Sequence, residues 1–240
     1  MLTLIMNKSQ NFISLSALRL KLDLINEEIL FGLKHRTRYH LNKEIYSEEF
    51  AEGKTWFLYR LKKVQDIDSE YGRYLYNDQT PFIYSKKDLA QPKTKLVANN
   101  NGTTPIQIDL SNEIISAYQK VISEICIPGE DKSTYGETTK IDVENILAIN
   151  ERIVSLGEQV AGYKIQENPS LLKTKDKKEI EEKLISANRE KEVIEKTIER
   201  AKALEINNLS AIQEFVSEIV RLTKKIEAEY VLHAQKKEKD

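Results

Sequence analysis

The residues of this chain whose placement asks for chemistry are polar groups set on otherwise apolar helical stripes. Thr223 interrupts a stripe of Ile212, Val216, Ile219, Ile226 and Tyr230, where leucine or isoleucine would pack better. Glu227 follows four residues on and so shares its helix face. Asn188 and Glu192 repeat that spacing on the preceding helical segment. Arg19 flanks Leu18 and Leu22, and Arg152 abuts Ile149, Ile153 and Leu156. A buried guanidinium or carboxylate is costly without a partner. Taken singly, each reads as a side chain that lays its stem on the core and keeps its head in water. Taken together, two cations and two carboxyls beside apolar stripes of different helices point to a small polar dianion held inside a bundle.

Other chemistries find little support. The sequence has no Gly-rich phosphate loop, no paired-cysteine metal motif and no His-Glu-x-x-His, and His35, His40 and His233 are scattered. Cys126 ends an apolar helical run and reads as a core residue. As the lone cysteine it cannot close an internal disulfide, which fits a reducing compartment. A net charge of -1 with 31% charged residues is balanced, unlike the lysine and arginine excess of nucleic-acid and membrane binders. No apolar run approaches the roughly 18 residues that span a bilayer. The apolar start, Met1 to Met6, lacks the basic lead and long apolar stretch of a secretory signal. A soluble, cytoplasmic protein is expected.

The elements that must position these groups are helices. Gly and Pro are scarce (8 and 5), and the hydrophobic period is helical nearly throughout. A first helix is predicted from about Ser14 to Tyr46, on a stripe of Leu15, Leu18, Leu22, Ile25 and Ile29. A second is predicted over Gly53 to Asn77, a turn over Asn77 to Pro81, and a loop over Pro92 to Pro105. A third helix spans about Asp109 to Cys126, and a loop Pro128 to Glu137. The run Thr139-Lys140-Ile141-Asp142 has the pattern of a capping box and should open a helix reaching about Gln166. Lysine- and glutamate-rich Asp176 to Leu184, then Ser186 to Leu204, and a last helix from near Ser210 complete the expectation of a single all-α domain over residues 1–240.

At these residues the chain resembles the all-helical chorismate mutases of fungi and plants, over nearly its whole length. Leu18-Arg19 … Ile29-Leu30-Phe31-Gly32-Leu33-Lys34-His35-Arg36 looks like that family's first helix, and Asp78-Gln79-Thr80-Pro81-Phe82 resembles its Asp-Glu-Thr-Pro-Phe. Tyr135-Gly136-Glu137, followed by Asp142 and Arg152, resembles its loop and central helix. Ala187-Asn188 with Glu192 falls where it has an Asn and Glu pair, and Thr223 through Tyr230 is similar to its closing helix. The resemblance implies a helical bundle, a homodimer, and conversion of chorismate to prephenate without cofactor or metal. It implies that Arg19 and Arg152 hold the two substrate carboxylates by forked hydrogen bonds, with Thr223 in support. Glu192 and Asn188 would engage the ring hydroxyl. Lys164 and Glu227 would donate to the ether oxygen as the carbon–oxygen bond breaks, which requires Glu227 to be protonated.

Two departures from the family pattern matter. The family spaces its central arginine and lysine eleven residues apart, which at about 100° per residue returns them to within roughly 20° on one face. Arg152 and Lys164 are twelve apart, which turns Lys164 about 120° away. Either a one-residue π-bulge near Leu156-Gly157 absorbs the extra residue, or Lys164 points outward. In addition, Gly72-Arg73 replaces an arginine pair and Lys140 stands where a switching threonine is expected, so control by tryptophan and tyrosine is not anticipated. A non-catalytic helical scaffold and a lyase acting on isochorismate are the competing readings.

Overall fold

The computed structural model describes residues 14–76, 79–95, 106, 108–184 and 186–237. The main helices are α1 (Leu15–Arg36), α2 (Trp56–Glu70), α3 (Ser111–Ile125), α4 (Tyr135–Asn150), α5 (Leu156–Glu167), α6 (Lys177–Leu184), α7 (Ala187–Ala203) and α8 (Leu209–Lys237). The all-α class expected from the sequence is what forms. α8 is the central element, packed along α3, α5, α6 and α7, while α1 lies along α4. Leu33, Leu61, Ile122, Ile146, Ile149, Ile153, Leu222 and Ile226 are buried in the main core, and Leu171, Ile180, Leu184 and Val231 form a smaller one beneath α6. Among the described residues no helix is long and apolar enough to cross a membrane.

Ser14 caps α1 by accepting from the Ala17 amide. The helix stops at Arg36 rather than near Tyr46, and Arg36 itself explains the stop. Its side chain is fully buried, so its donors need acceptors. They find the backbone oxygens of His40, at 2.7 Å, and of Leu41, both of which must leave the helix to accept. The chain then turns through Asn42 in the left-handed region (φ 50°). The predicted start of the second helix is instead a two-stranded antiparallel hairpin, Glu49–Ala51 with Lys54–Thr55. Gly53 turns it at φ 66°, a conformation glycine adopts without steric cost. α2 follows at Trp56, with the Thr55 hydroxyl capping the Leu58 amide at 3.2 Å. Residues 77 and 78, with the Asp78 of the quoted motif, and 96–105 of the predicted loop lie outside the described residues.

Thr139 to Asp142 is not a helix start. α4 opens at Tyr135, and Asp142 lies two turns inside it, fully buried. There the carboxylate takes Arg36 Nε and Tyr118 Oη, each at 2.7 Å, and Tyr46 Oη at 2.9 Å. Asp142→Ala leaves the Arg36 charge buried and unpaired, so a loss of about 3–5 kcal/mol is expected in urea-induced unfolding. A loss below about 1 kcal/mol would mean the network is dispensable.

α4 and α5 form one continuous rod through a π-helical turn at Glu151–Ser155. The Leu156 amide donates to the carbonyl of Glu151, five residues back rather than four.

Candidate active site

A cavity of about 310 Å³ opens between α1, α5, α7 and α8. Arg19, Arg152, Lys164, Thr223 and Glu227 line it, with an apolar wall that includes Leu18, Leu22, Val160, Val193 and Val220. Its five cations (Arg19, Arg152, Lys164, Arg189, Lys224) outnumber its four acids (Asp23, Glu167, Glu190, Glu227).

Arg152 is the most constrained of these groups. It sits within the π turn and is only 6% exposed. Its Nε donates to Asn26 Oδ1 at 3.1 Å, and Nη1 reaches Thr223 Oγ1 at 3.4 Å. The Thr223 hydroxyl spends its proton on the Ile219 carbonyl at 2.8 Å, so its oxygen is left to accept. Among the described residues no carboxylate lies within ion-pair distance of Arg152. Burial pulls its pKa down to about 10, against the pull of Glu227 and Asp23 in the other direction. The guanidinium is therefore charged at neutral pH, desolvated, and short of an anion.

Lys164 faces the same cavity despite the twelve-residue spacing, because the π turn takes up one residue. That turn lies directly before the Leu156-Gly157 position expected from the sequence. Gly157 serves packing instead. A Cβ there would come within 3.1 Å of Ile226 Cγ2, so its absence lets α5 approach α8. Lys164 Nζ donates to Glu227 Oε2 at 2.7 Å and to the carbonyl of Leu184, the last residue of α6, at 2.8 Å. Glu227 is buried, and that burial pushes its pKa above the ordinary carboxylate value against the opposing charges of Lys164 and Arg152. Arg19 is exposed, on the part of α1 that borders the opening.

Asn188 and Glu192 do not line the cavity. Both are exposed, and Glu192 pairs with Arg189 at 2.8 Å and Lys196 at 3.0 Å. Hydrogen bonds from those two cations hold its carboxyl down at about 2. The reason is the phase of α7. Its buried residues are Thr197 and Ala201, and stepping back by three and four from them leads to Val193, Glu190 and Ser186. Ser186 and Glu190 thus keep the expected four-residue spacing, two positions earlier. Glu190 Oε2 accepts from Lys224 Nζ at 2.7 Å, which joins α7 to α8. Sequence reasoning also passed over Asp23 and Asn26, although both share a face of α1 with Arg19. Asp23 Oδ1 lies 3.6 Å from Arg189 across the cavity.

Elsewhere, a larger groove of about 620 Å³ runs between α3 and α8, but three of its carboxylates, Glu113, Glu214 and Glu218, are paired with Lys225, Lys120 and Arg221. Cys126 is buried beside Arg36, and burial pushes its thiol up to about 11, too high for a nucleophile at neutral pH. Arg73 pairs with Glu151 at 2.6 Å, at the start of the π turn. Among the described residues no cluster of His, Cys, Asp or Glu could hold a metal ion.

No protein-family model matches the chain. Among curated proteins it is similar to the chorismate mutase of Emericella nidulans, 27% identical over 256 residues and covering 93% of each chain. It is also similar to that of Schizosaccharomyces pombe, 24% identical and covering 87% of this chain and 92% of the relative. Among solved structures, the chorismate mutase of Candida albicans in complex with L-Trp superposes with a TM-score of 0.83 at 23% identity, covering 91% of this chain and 90% of that one. The chloroplast chorismate mutase of Zea mays gives 0.80 at 24% identity, covering 93% and 97%.

Proposed function

We propose that the chain belongs to the all-helical chorismate mutases and converts chorismate to prephenate in the cavity between α1, α5, α7 and α8. The observation that carries this reading is Arg152, a buried cation without an ion-pair partner among the described residues, which shares an apolar-walled cavity with the Lys164–Glu227 pair. The rearrangement is intramolecular: one carbon–oxygen bond breaks as one carbon–carbon bond forms, so no nucleophile, base or metal is required. The protein must hold the compact conformer and stabilise charge on the ether oxygen as it departs.

Arg152 and Arg19 hold the two carboxylates, and Thr223 supports one of them. Lys164 donates to the ether oxygen, and Glu227 does so in its protonated form. A dianion in the cavity makes the Glu227 carboxylate more costly and favours the protonated form. The ring hydroxyl is assigned to Glu190 with Ser186, in place of Glu192 with Asn188, because Glu190 and Ser186 line the cavity. Homodimerisation and a cytoplasmic location complete the reading. The first is supported by Ile67 on α2 and Tyr71, the residue that caps its C-terminal end, exposed four residues apart, and is tested by sedimentation.

The test is to mix purified protein with chorismate, follow its loss and identify the product. Prephenate is the expected result. No turnover from a protein that is helical by circular dichroism overturns the reading in favour of a scaffold, and pyruvate release from isochorismate would indicate the lyase. Glu190→Ala should lower kcat/KM by roughly a hundredfold, the order seen when a buried polar contact to substrate is lost. Glu192→Ala should leave it within about twofold, since its carboxyl is exposed. The reverse ranking would restore the register first expected.

A further inference from the structure

We infer that Asn26 is the positioning residue for Arg152, fixing the plane of its guanidinium by a neutral acceptor so that the full charge stays available to substrate. The inference rests on the function proposed above. Arg152 has only donors, so the 3.1 Å contact to Nε requires Asn26 to present its amide oxygen. Nε is the N–H nearest the stem. Once it is engaged, the two terminal nitrogens form the edge that a carboxylate meets in a fork.

Both partners are themselves held. Asn26 stands between buried Ile25 and Ile29 on α1, and Arg152 is set by the π turn beside buried Ile153. On the side away from the main cavity, water is a poor substitute for the amide. The space behind it, lined by Asn26, Ile29, Arg152, Val193, Val216 and Ile219 among others, is about 10 Å³ and mostly apolar. A bound water needs at least that volume and two or more polar partners.

The choice of an amide over a carboxylate has a chemical consequence. Aspartate at position 26 could accept from Nε equally well, but it would form an internal ion pair and place a further negative charge in a cavity meant for a dianion. Orientation and charge are thereby separable by mutation.

Steady-state kinetics on Asn26→Ala and Asn26→Asp, with circular dichroism and thermal melting of each, test the inference. Asn26→Ala frees the guanidinium to rotate, and kcat should fall roughly thirtyfold to a hundredfold, the scale of a 1 Å misplacement. Asn26→Asp keeps the acceptor, so kcat should stay within about threefold while KM rises roughly tenfold from one added charge close to the substrate. That split between kcat and KM is not what a merely structural role produces. Wild-type kinetics in both variants, or parallel losses that track melting temperature, would overturn the inference while leaving the function standing. Calorimetry with prephenate separates the two failures: a wild-type protein that neither turns over chorismate nor binds prephenate removes both.

Discussion

Arg152→Ala lowers kcat/KM on chorismate by about a thousandfold or more. Truncating one member of a buried, hydrogen-bonded charge pair typically costs 2–5 kcal/mol, and every 1.4 kcal/mol is tenfold. Here the lost member also orders the substrate for reaction. Arg152→Lys should be nearly as damaging, because an ammonium offers neither the planar fork nor a second parallel hydrogen bond. Folding stability should move the other way or not at all. The guanidinium lacks a carboxylate partner among the described residues, and removing a desolvated, unpaired cation relieves a cost. Steady-state assays beside urea unfolding read the two effects together. An alanine variant that keeps a tenth of wild-type activity, or that loses activity only in proportion to stability, would show that the carboxylates of the substrate are held elsewhere.

The second large effect is on pH dependence. Glu227 can donate to the ether oxygen only when protonated. Burial already raises its pKa above the usual carboxylate value, and the nearby Lys164 and Arg152 charges oppose that rise. The active form is therefore populated below the pKa that applies with substrate bound and is lost as pH climbs through it, so wild-type activity falls toward alkaline pH. Glutamine donates at every pH. Glu227→Gln should flatten the alkaline limb and, above it, exceed wild type by up to about a hundredfold, the order one preorganised donor contributes. A profile that keeps its alkaline limb in the glutamine variant would assign the titration to another group, with Lys164 the next to test.

Most of the helices were legible in the sequence because their burial stripes repeat at three and four residues. So was the association of Arg19, Arg152, Lys164, Thr223 and Glu227 with one cavity, the lysine through family resemblance and the others through their place beside apolar stripes. What failed were features decided by tertiary contact. The end of α1 depends on a buried arginine finding carbonyls that only a turn can offer. The false capping box at Thr139 arose because Asp142 has the residue type and spacing of a cap, whereas its partners, Arg36, Tyr46 and Tyr118, come from distant parts of the chain. On α7 the spacing was right and the face wrong. Charged residues on both sides of that helix masked which way it turns, and only the small buried pair Thr197 and Ala201 fixes the phase.

The π turn bears on how this helix can change length over evolutionary time. The surplus residue is confined to Glu151–Ser155, and the rod is regular on either side. Deleting one residue from Ile153 to Ser155 would let bonding revert from five back to four, and Arg152 and Lys164 would stay in phase at eleven positions. Deleting one residue between 157 and 163 would leave the π turn in place and swing Lys164 about 100° away from Glu227. The turn, after Arg152, is thus the stretch of the rod where loss of a codon is silent. Related chains can differ there by a residue without an inactive ancestor between them.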